Sequence, residues 1–412
     1  MSYDHTKTKK RIAVLFGGRS PEHDVSVITG LQILNALDST KYESFPVYIT
    51  TDGVWLTGDV LRKRENFLPD KTARAACTEV ILDVTAGRTG RLIPRKQGFF
   101  KSKPIEFDAA IPSFHGLYGE DGNIQGLLEF AGIPYAGMRT MASSILMDKM
   151  AGKYFMHALG IPVLPAAVLK RPESGFLLPA GHIRTAMKNA GICFPCILKP
   201  VHLGSSIGVA KVINEDEIIA CLPAVFEYDD AAMLEPFVPN LAEYNVAVAR
   251  INGIVRTSAF ERPKAKDELL DFKAKYLSGG GGKSGAKSGT KTPGQGSEGM
   301  LSLTRELNPK LPPQTEENMR RWVTAIFEAL DGSGAPRVDF ISNAATGEVW
   351  MNEINPWPGS VGYFLWEAAS DSILFSELLD ILVDEAFTLR RGRALPSDPV
   401  PVGARLLKRP AA

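Results

Sequence analysis

Arg337-Val338-Asp339-Phe340 and, after a polar turn, Trp350-Met351-Asn352-Glu353-Ile354-Asn355 form the stretch that decides the fold. Both segments read as apolar strands joined across Ser342 to Gly347. Strand side chains alternate between faces, so Arg337 shares a face with Asp339, and Glu353 with Asn355. The opposite face gathers Val338, Phe340, Trp350 and Ile354, which suits a core. One side of a buried hairpin then carries two carboxylates, an amide and a guanidinium, groups that are costly to bury unpaired. Oxygen ligands converging in this way suit Mg²⁺, which binds through one or two carboxylates plus substrate phosphates. The competing reading is a surface salt-bridge ladder.

Working outward, 412 residues exceed one small core and fit two or three domains. With 47 basic and 46 acidic residues, the formal charge of +1 gives no electrostatic footprint for nucleic acid or a membrane surface. The polar start, Met1 to Arg11, contains no secretory apolar segment, and no run approaches the roughly 20 apolar residues of a membrane span. Four cysteines do not make a disulfide framework, so a reduced, cytoplasmic setting is expected. Cys193-Phe194-Pro195-Cys196 lacks the second pair of a zinc ribbon and sits in an apolar run, so it reads as core.

The first third alternates strand and helix signals. Arg11 to Phe16 is an apolar strand ending at Gly17-Gly18, followed by a helix with Val27, Leu31 and Leu34 on one stripe. Phe45 to Ile49 and Asp108 to Pro112 read as further strands, and Ile124, Leu127, Leu128 and Ala131 have helical spacing. This is the pattern of an α/β domain over 1–142. A second block, 143–232, begins with one helix running through Met147-Asp148-Lys149 to Tyr154-Phe155. A third block covers 233–412. Within it, Ser278 to Gly299 has nine glycines in 22 residues and reads as a mobile surface loop.

Lys199-Pro200-Val201-His202-Leu203-Gly204-Ser205-Ser206-Ile207-Gly208 joins a strand-end lysine to a small-residue loop. Backbone N–H groups of such a loop close on phosphate oxygens while the lysine supplies a cation. The run also matches the G-x-S-x-G elbow of hydrolases, but that elbow needs a following helix, and Val209 to Ile213 is strand-like. No Walker loop is present, because Gly282-Lys283-Ser284 would require glycine at Leu277. Gly17-Gly18-Arg19-Ser20 does not match the dinucleotide fingerprint either.

Together these stretches resemble the D-alanine–D-alanine ligases of the ATP-grasp superfamily. The matching segments are Val14 to Ser26, His115 to Gly122, Met147-Asp148-Lys149, Lys199 to Gly208, Ala274-Lys275-Tyr276 and Arg337 to Gly359, in the family's order. The resemblance implies an N-terminal Rossmann-like pre-ATP-grasp α/β domain, then a two-subdomain ATP-grasp unit of α+β character. It implies ATP-dependent joining of two D-alanines through an acyl phosphate, for peptidoglycan. Lys149 and Lys199 stand where lysines hold the ATP phosphates, with Ser206 and Lys275 nearby, Glu235 to Val238 where adenine is met, and Glu243 where ribose is gripped. Asp339, Glu353 and Asn355 stand as ligands of Mg²⁺ or Mn²⁺, and Arg337 as the stabiliser of the tetrahedral oxyanion. His115, Ser205 and Tyr276 stand around the first D-alanine, with Asp24 receiving its ammonium. Gly359 and Ser360 stand at the second amino acid. The family is commonly homodimeric.

Three features depart from the family pattern. Asp24 stands where glutamate is common, Phe364 falls where a serine hydroxyl holds the second substrate, and Ser278 to Gly299 lengthens a loop. Ser360 and Tyr363 are the candidates to compensate for Phe364. Two alternatives therefore stand beside the ligase reading: a related ligase with another amino-acid acceptor, and an inactive ATP-binding module.

Overall fold

The chain's computed structural model describes residues 9–67, 73–85, 90–95, 103–175, 177–204, 207–263, 305–392, 395–396 and 399–406. The first sheet contains β1 (Lys10–Gly17), β2 (Tyr42–Ile49), β3 (Trp55–Thr57), β4 (Thr78–Leu82), β5 (Gly90–Pro94), β6 (Ile105–Phe107) and β7 (Ala109–Pro112). Its order is β6-β5-β4-β3-β2-β1-β7, and only β2, β1 and β7 pair in parallel. The Rossmann-like core is thus three strands wide and is extended by an antiparallel meander that the apolar runs did not reveal. β1 is buried on both faces, as a parallel strand must be. It ends at Gly17 (φ +93°), where a Cβ would lie 2.2 Å from the Ile49 carbonyl oxygen. The chain there turns into α1 (His23–Ala36), whose Val27, Leu31 and Leu34 are buried. Helix α2 (Asn123–Ala131) covers the other face with Ile124, Leu128 and Ala131.

The expected single helix around Met147-Asp148-Lys149 is two helices, α3 (Thr140–Met147) and α4 (Lys149–Ala158). Asp148 breaks them by taking an extended conformation (φ −79°, ψ 105°) and capping α4 through the Met150 and Ala151 N–H groups. A four-stranded antiparallel sheet follows, built from β8 (Ala167–Lys170), β9 (Cys196–Pro200), β10 (Ala210–Val212) and β11 (Ala231–Pro236) in the order β10-β9-β11-β8. Helices α5 (Ala180–Ala190) and α6 (Glu215–Phe226) bury Ile183, Met187, Ile218 and Leu222 against it. β9 and β10 form the expected hairpin across the small-residue loop. Cys196 is buried in that core, whereas Cys193 is exposed.

The third sheet has the order β14-β13-β12-β15-β16. Its strands are β12 (Leu241–Ile251), β13 (Ile254–Pro263), β14 (Arg305–Leu307), β15 (Arg337–Asn343) and β16 (Val349–Asn355), and all its pairings are antiparallel. Helix α7 (Pro313–Ala329) packs Met319, Val323 and Phe327 on one face, together with Ala142 and Leu146 of α3. Short α8 (Tyr363–Glu367) leads to α9 (Phe375–Gly392). Leu378, Leu379 and Leu382 of α9 enter the same core as Ile12 and Val14 of β1 and Ala247 and Ala249 of β12.

The boundaries expected at 142/143 and 232/233 therefore need correction. The first falls inside α3, whose apolar face belongs to the third sheet, and the second cuts β11. Cores formed by distant segments, not breaks in composition, define the units.

Candidate active site

The hairpin β15–β16 builds the site as its alternation required, with one local change. Arg337 faces Asn355 and Asp339 faces Glu353 across the two strands. The Arg337 guanidinium donates to both Asp339 oxygens at 2.6 Å, and Asn355 Nδ2 donates to Asp339 Oδ2 at 3.0 Å. Two parallel charge-assisted bonds fix the guanidinium plane. The register then shifts, because Phe340 pairs with Met351 and leaves Asn352 as a bulge. In consequence Met351, not Trp350, joins Val338, Phe340 and Ile354 in the core, while Trp350 is half-buried. The bulge turns Asn352 to the site, where its Oδ1 accepts from Lys199 Nζ at 3.0 Å.

Two chambers meet at this hairpin. A cleft of about 200 Å³ lies between the second and third sheets, lined by Lys149, Lys199, Phe237, Val238 and Ile341 among others. Lys149 Nζ donates to the Leu203 carbonyl at 2.6 Å and lies 3.3 Å from Glu353 Oε2. Glu235 is buried between two lysines, Lys199 and Lys153, each at 2.5 Å. Burial raises its carboxyl pKa, but the two lysine charges outweigh that and hold it below the usual range. Glu353 shows the same balance, with burial opposed by Lys149 and Lys199 and the net shift downward. Burial pushes the Lys153 ammonium down.

The second chamber, about 390 Å³, is lined by Glu22, His115, Glu120, Asn245, Arg337 and Gly359 among others. His115 is buried and its Nε2 lies 3.1 Å from Thr29 Oγ1. Burial, aided by the Arg337 charge, lowers its pKa to about 4, so the ring is neutral. Glu120 accepts from the Gly116 and Trp357 N–H groups at 2.8 and 3.0 Å. Burial, with a further contribution from Glu22, raises its carboxyl to about 8. Asp339 is raised by burial and by Glu353 despite Arg337, and Glu243 by burial, Asp339 and Glu353. Carboxylates that oppose one another's ionisation, with an amide beside them, are a donor set that fits a divalent cation held jointly with phosphate.

The structure brings together Lys149, Lys199, Glu235, Val238, Glu243, Arg337, Asp339, Glu353, Asn355, His115 and Gly359. It does not bring Asp24 there. Asp24 is exposed on the first turn of α1, whereas Glu22 is buried and lines the second chamber. A Cβ on Gly204 would lie 3.0 Å from Glu22 Oε1, so the small-residue loop closes on that carboxylate. Because α1 starts at His23, Glu22 precedes the helix and turns inward, and the 100° step per residue carries Asp24 outward. Ser360 is not a lining residue, since its hydroxyl donates to Gln32 Oε1 at 2.6 Å. Tyr363 stacks on Phe375 with centroids 4.8 Å apart, and the Arg305 guanidinium lies 4.0 Å over the Phe364 ring. Neither Tyr363 nor Ser360 replaces the expected hydroxyl in the chamber. Ser205, Ser206, Lys275, Tyr276 and 278–299 lie outside the described residues.

Sequence reasoning also missed Lys153, Glu120, Asn245 and Asn352. Lys153 carried a signal, being one helical turn past Lys149 and so on the same face. Asn352 carried none, because strict alternation points it at the core.

Known proteins agree with this geometry. The family description "D-ala D-ala ligase N-terminus" matches residues 11–138, and "D-ala D-ala ligase C-terminus" matches 155–295 and 298–384. The D-alanine–D-alanine ligase A of Bradyrhizobium diazoefficiens is 33% identical over 396 residues, covering 93% of this chain and 97% of that protein. The D-alanine–D-alanine ligase of Thermosipho africanus is 31% identical over 382 residues, covering 91% and 93%. Among solved structures, the D-alanine–D-alanine ligase from Coxiella burnetii superposes with a TM-score of 0.71 at 25% identity, covering 93% of this chain and 96% of that one. The VanG D-Ala:D-Ser ligase from Enterococcus faecalis gives 0.68 at 25%, covering 92% and 100%. With both family descriptions matched in order and the hairpin, lysines and buried histidine assembled around two adjoining chambers, the chain belongs to the D-alanine–D-alanine ligase family.

Proposed function

We propose that the chain joins two D-alanines to D-alanyl-D-alanine, a peptidoglycan precursor, releasing ADP and phosphate. The observation that carries this reading is the row Arg337, Asp339, Glu353 and Asn355, standing between a lysine-lined cleft and a buried polar chamber. A carboxylate is a poor electrophile. Phosphoryl transfer from ATP converts it to an acyl phosphate, and that needs the crowded charge neutralised. Lys149 and Lys199 bind the polyphosphate, with Val238 against the adenine and Glu243 at the ribose. Asp339, Glu353 and Asn355 hold Mg²⁺, for which Mn²⁺ substitutes, and the ion supplies charge neutralisation at the transferring phosphoryl group.

The first D-alanine lies in the second chamber. Glu22 takes its ammonium, the role the sequence reading gave to Asp24, and neutral His115 donates or accepts one hydrogen bond without adding charge. Arg337, locked by Asp339, faces the oxyanion that forms when the second amine attacks. The acyl phosphate must be kept from water until the amine attacks. A homodimer in the cytoplasm completes this reading. Among the described residues no helix is long and apolar enough to cross a membrane.

The acceptor has a second reading. Phe364 is engaged by Arg305 and the Ser360 hydroxyl by Gln32, so neither of these two described residues offers a hydroxyl at the acceptor side. A structural relative acts as a D-Ala:D-Ser ligase. The deciding experiment follows ADP release with ATP, Mg²⁺ and D-alanine, L-alanine, D-serine plus D-alanine, or no amino acid, with mass spectrometry of products. Dipeptide from D-alanine alone supports the reading. Product only when D-serine is present moves the assignment to the other acceptor, and ATP binding with no stimulated turnover sinks both.

A further inference from the structure

The two lysines of the nucleotide cleft come from different elements, Lys149 from the first turn of α4 and Lys199 from β9. Something must fix their spacing. Two ties are local: the Lys149 N–H donates to the Val201 carbonyl at 3.3 Å, and Lys149 Nζ to the Leu203 carbonyl at 2.6 Å. His202 sits between those carbonyls in sequence and makes the third tie. Its backbone N–H donates to Asp229 Oδ2 at 2.7 Å, and its ring Nδ1 lies 2.8 Å from Asp229 Oδ1. Its Nε2 faces Asp148 Oδ2 at 3.5 Å. Asp148 is the cap of α4, and its other oxygen accepts from Met150 and Ala151 at 2.8 and 2.9 Å. Asp229 Oδ1 also accepts from the Ala231 N–H at 3.1 Å, at the start of the strand that carries Glu235.

One ring thus joins the helix of Lys149, the loop after Lys199 and the strand of Glu235. A neutral imidazole has a single N–H, so with carboxylates on both sides it would set a lone pair against one of them. Protonation of both ring nitrogens removes that lone pair and lets Nδ1 donate to Asp229 while Nε2 faces Asp148 with a positive charge. We propose that His202 is a positioning residue, an imidazolium clamp between Asp148 and Asp229 that holds Lys149 and Lys199 at the spacing needed for the ATP polyphosphate. The inference rests on the ligase reading. The bonds to Asp148 and Asp229 outweigh burial and keep the ring protonated to about pH 10, so the clamp does not open near neutrality. The remaining charged neighbour is Asp230, 3.6 Å from Nδ1 and exposed. His202, Asp229 and Asp230 could also share a metal ion, since their ligand atoms lie within 4.8 Å of one another. The 2.8 Å separation of Nδ1 and Asp229 Oδ1 suits a direct hydrogen bond, with the proton as the cation of the proposed clamp.

The test compares His202→Gln and His202→Arg with the wild type. A charged hydrogen bond is worth about tenfold or more in an equilibrium constant. His202→Gln is therefore expected to weaken binding of a non-hydrolysable ATP analogue, and raise KM for ATP, about tenfold. KM for D-alanine is expected to stay within about twofold, because the second chamber is not touched. His202→Arg, which keeps charged donors on both sides, is expected to stay within about threefold for ATP. If His202→Gln fails to fold, Asp148→Ser keeps a cap but removes the charge and is expected to weaken the analogue similarly. Wild-type ATP affinity in His202→Gln, equal losses in the Gln and Arg variants, or a bound Mn²⁺ equivalent that His202→Gln removes would each overturn the clamp. Analogue binding is read without turnover, so a wild type that binds ATP but forms no dipeptide overturns the ligase reading and leaves the clamp standing.

Discussion

The nucleotide cleft and the amino-acid chamber share Glu243, Ile341, Asn352 and Glu353 as a common wall, yet they treat buried charge in opposite ways. In the cleft two acids face lysines: Glu235 lies between Lys153 and Lys199, and Glu353 faces Lys149. These acids are held ionised. In the chamber Glu120 is raised to about 8 and His115 lowered to about 4, so both are neutral near pH 7. The difference follows from what enters. In the proposed function a polyphosphate would bring negative charge and compete with these carboxylates for the lysines, and Lys153 would remain to balance Glu235. An amino acid would bring both charges close together, with Glu22 for its ammonium, while Glu120 and His115 serve as neutral hydrogen-bond partners.

The largest effect that could break this contrast lies on the shared wall. Glu353→Gln is expected to cut ADP formation on the order of a thousandfold while circular dichroism stays native, since one metal-facing charge is lost. Near-normal turnover would remove Glu353 from the cation site. Next comes the chamber's carboxylate. Glu22→Gln is expected to raise KM for D-alanine about 10- to 100-fold, the value of a charged hydrogen bond, whereas Asp24→Asn should stay within about twofold. Steady-state kinetics on the two variants would reverse the correction of Asp24 if the effects were exchanged.

Glu120 sharpens the contrast through pH. Its folded pKa of about 8 lies above the ordinary glutamate value of 4.5, so the folded state binds the proton more tightly. This contribution is complete below about pH 4.5, declines as pH rises towards about 8 and is absent above that. Wild-type stability should therefore lose on the order of 4 kcal/mol from this group across that window, a slope that Glu120→Gln removes. Denaturant melts at several pH values measure it, and parallel slopes for the two proteins would contradict the buried neutral acid. The smallest effect is expected from Ser360→Ala. Its hydroxyl is committed to Gln32, so kcat/KM for D-alanine should change by less than about threefold. A large loss confined to the acceptor would return Ser360 to the site.

Much of the site was legible in the primary structure, and the reason differs by element. Along β15 and β16 the faces are set by a two-residue period, so Arg337, Asp339, Glu353 and Asn355 could be grouped before any fold was known. The lysines and His115 were legible through ordered motifs. The failures share a cause. Trp350 was assigned to the core because alternation was carried through a bulge, and the same bulge hid Asn352. Asp24 points outward and Glu22 inward because the starting residue of α1 decides which acid faces the chamber, and helix starts are set by how the preceding turn packs. The break at Asp148 was missed because apolar spacing runs on through it, while a cap that ties to His202 is visible only in three dimensions.

By itself the sequence determined the α/β order, the shared face of Arg337, Asp339, Glu353 and Asn355, and the family motifs. Each of these rests on covalent periodicity or on residue types adjacent in the chain. Tertiary structure alone decided that Glu22 and not Asp24 lines the second chamber, that α9 joins the core of the first sheet, and that Lys153 meets Glu235 and His202 lies between Asp148 and Asp229. Those facts depend on residues far apart in sequence coming together, such as His202 Nδ1 on Asp229 Oδ1 and Leu378 in one core with Ile12. Such contacts are selected by burial and charge balance over the whole molecule, which no local pattern encodes.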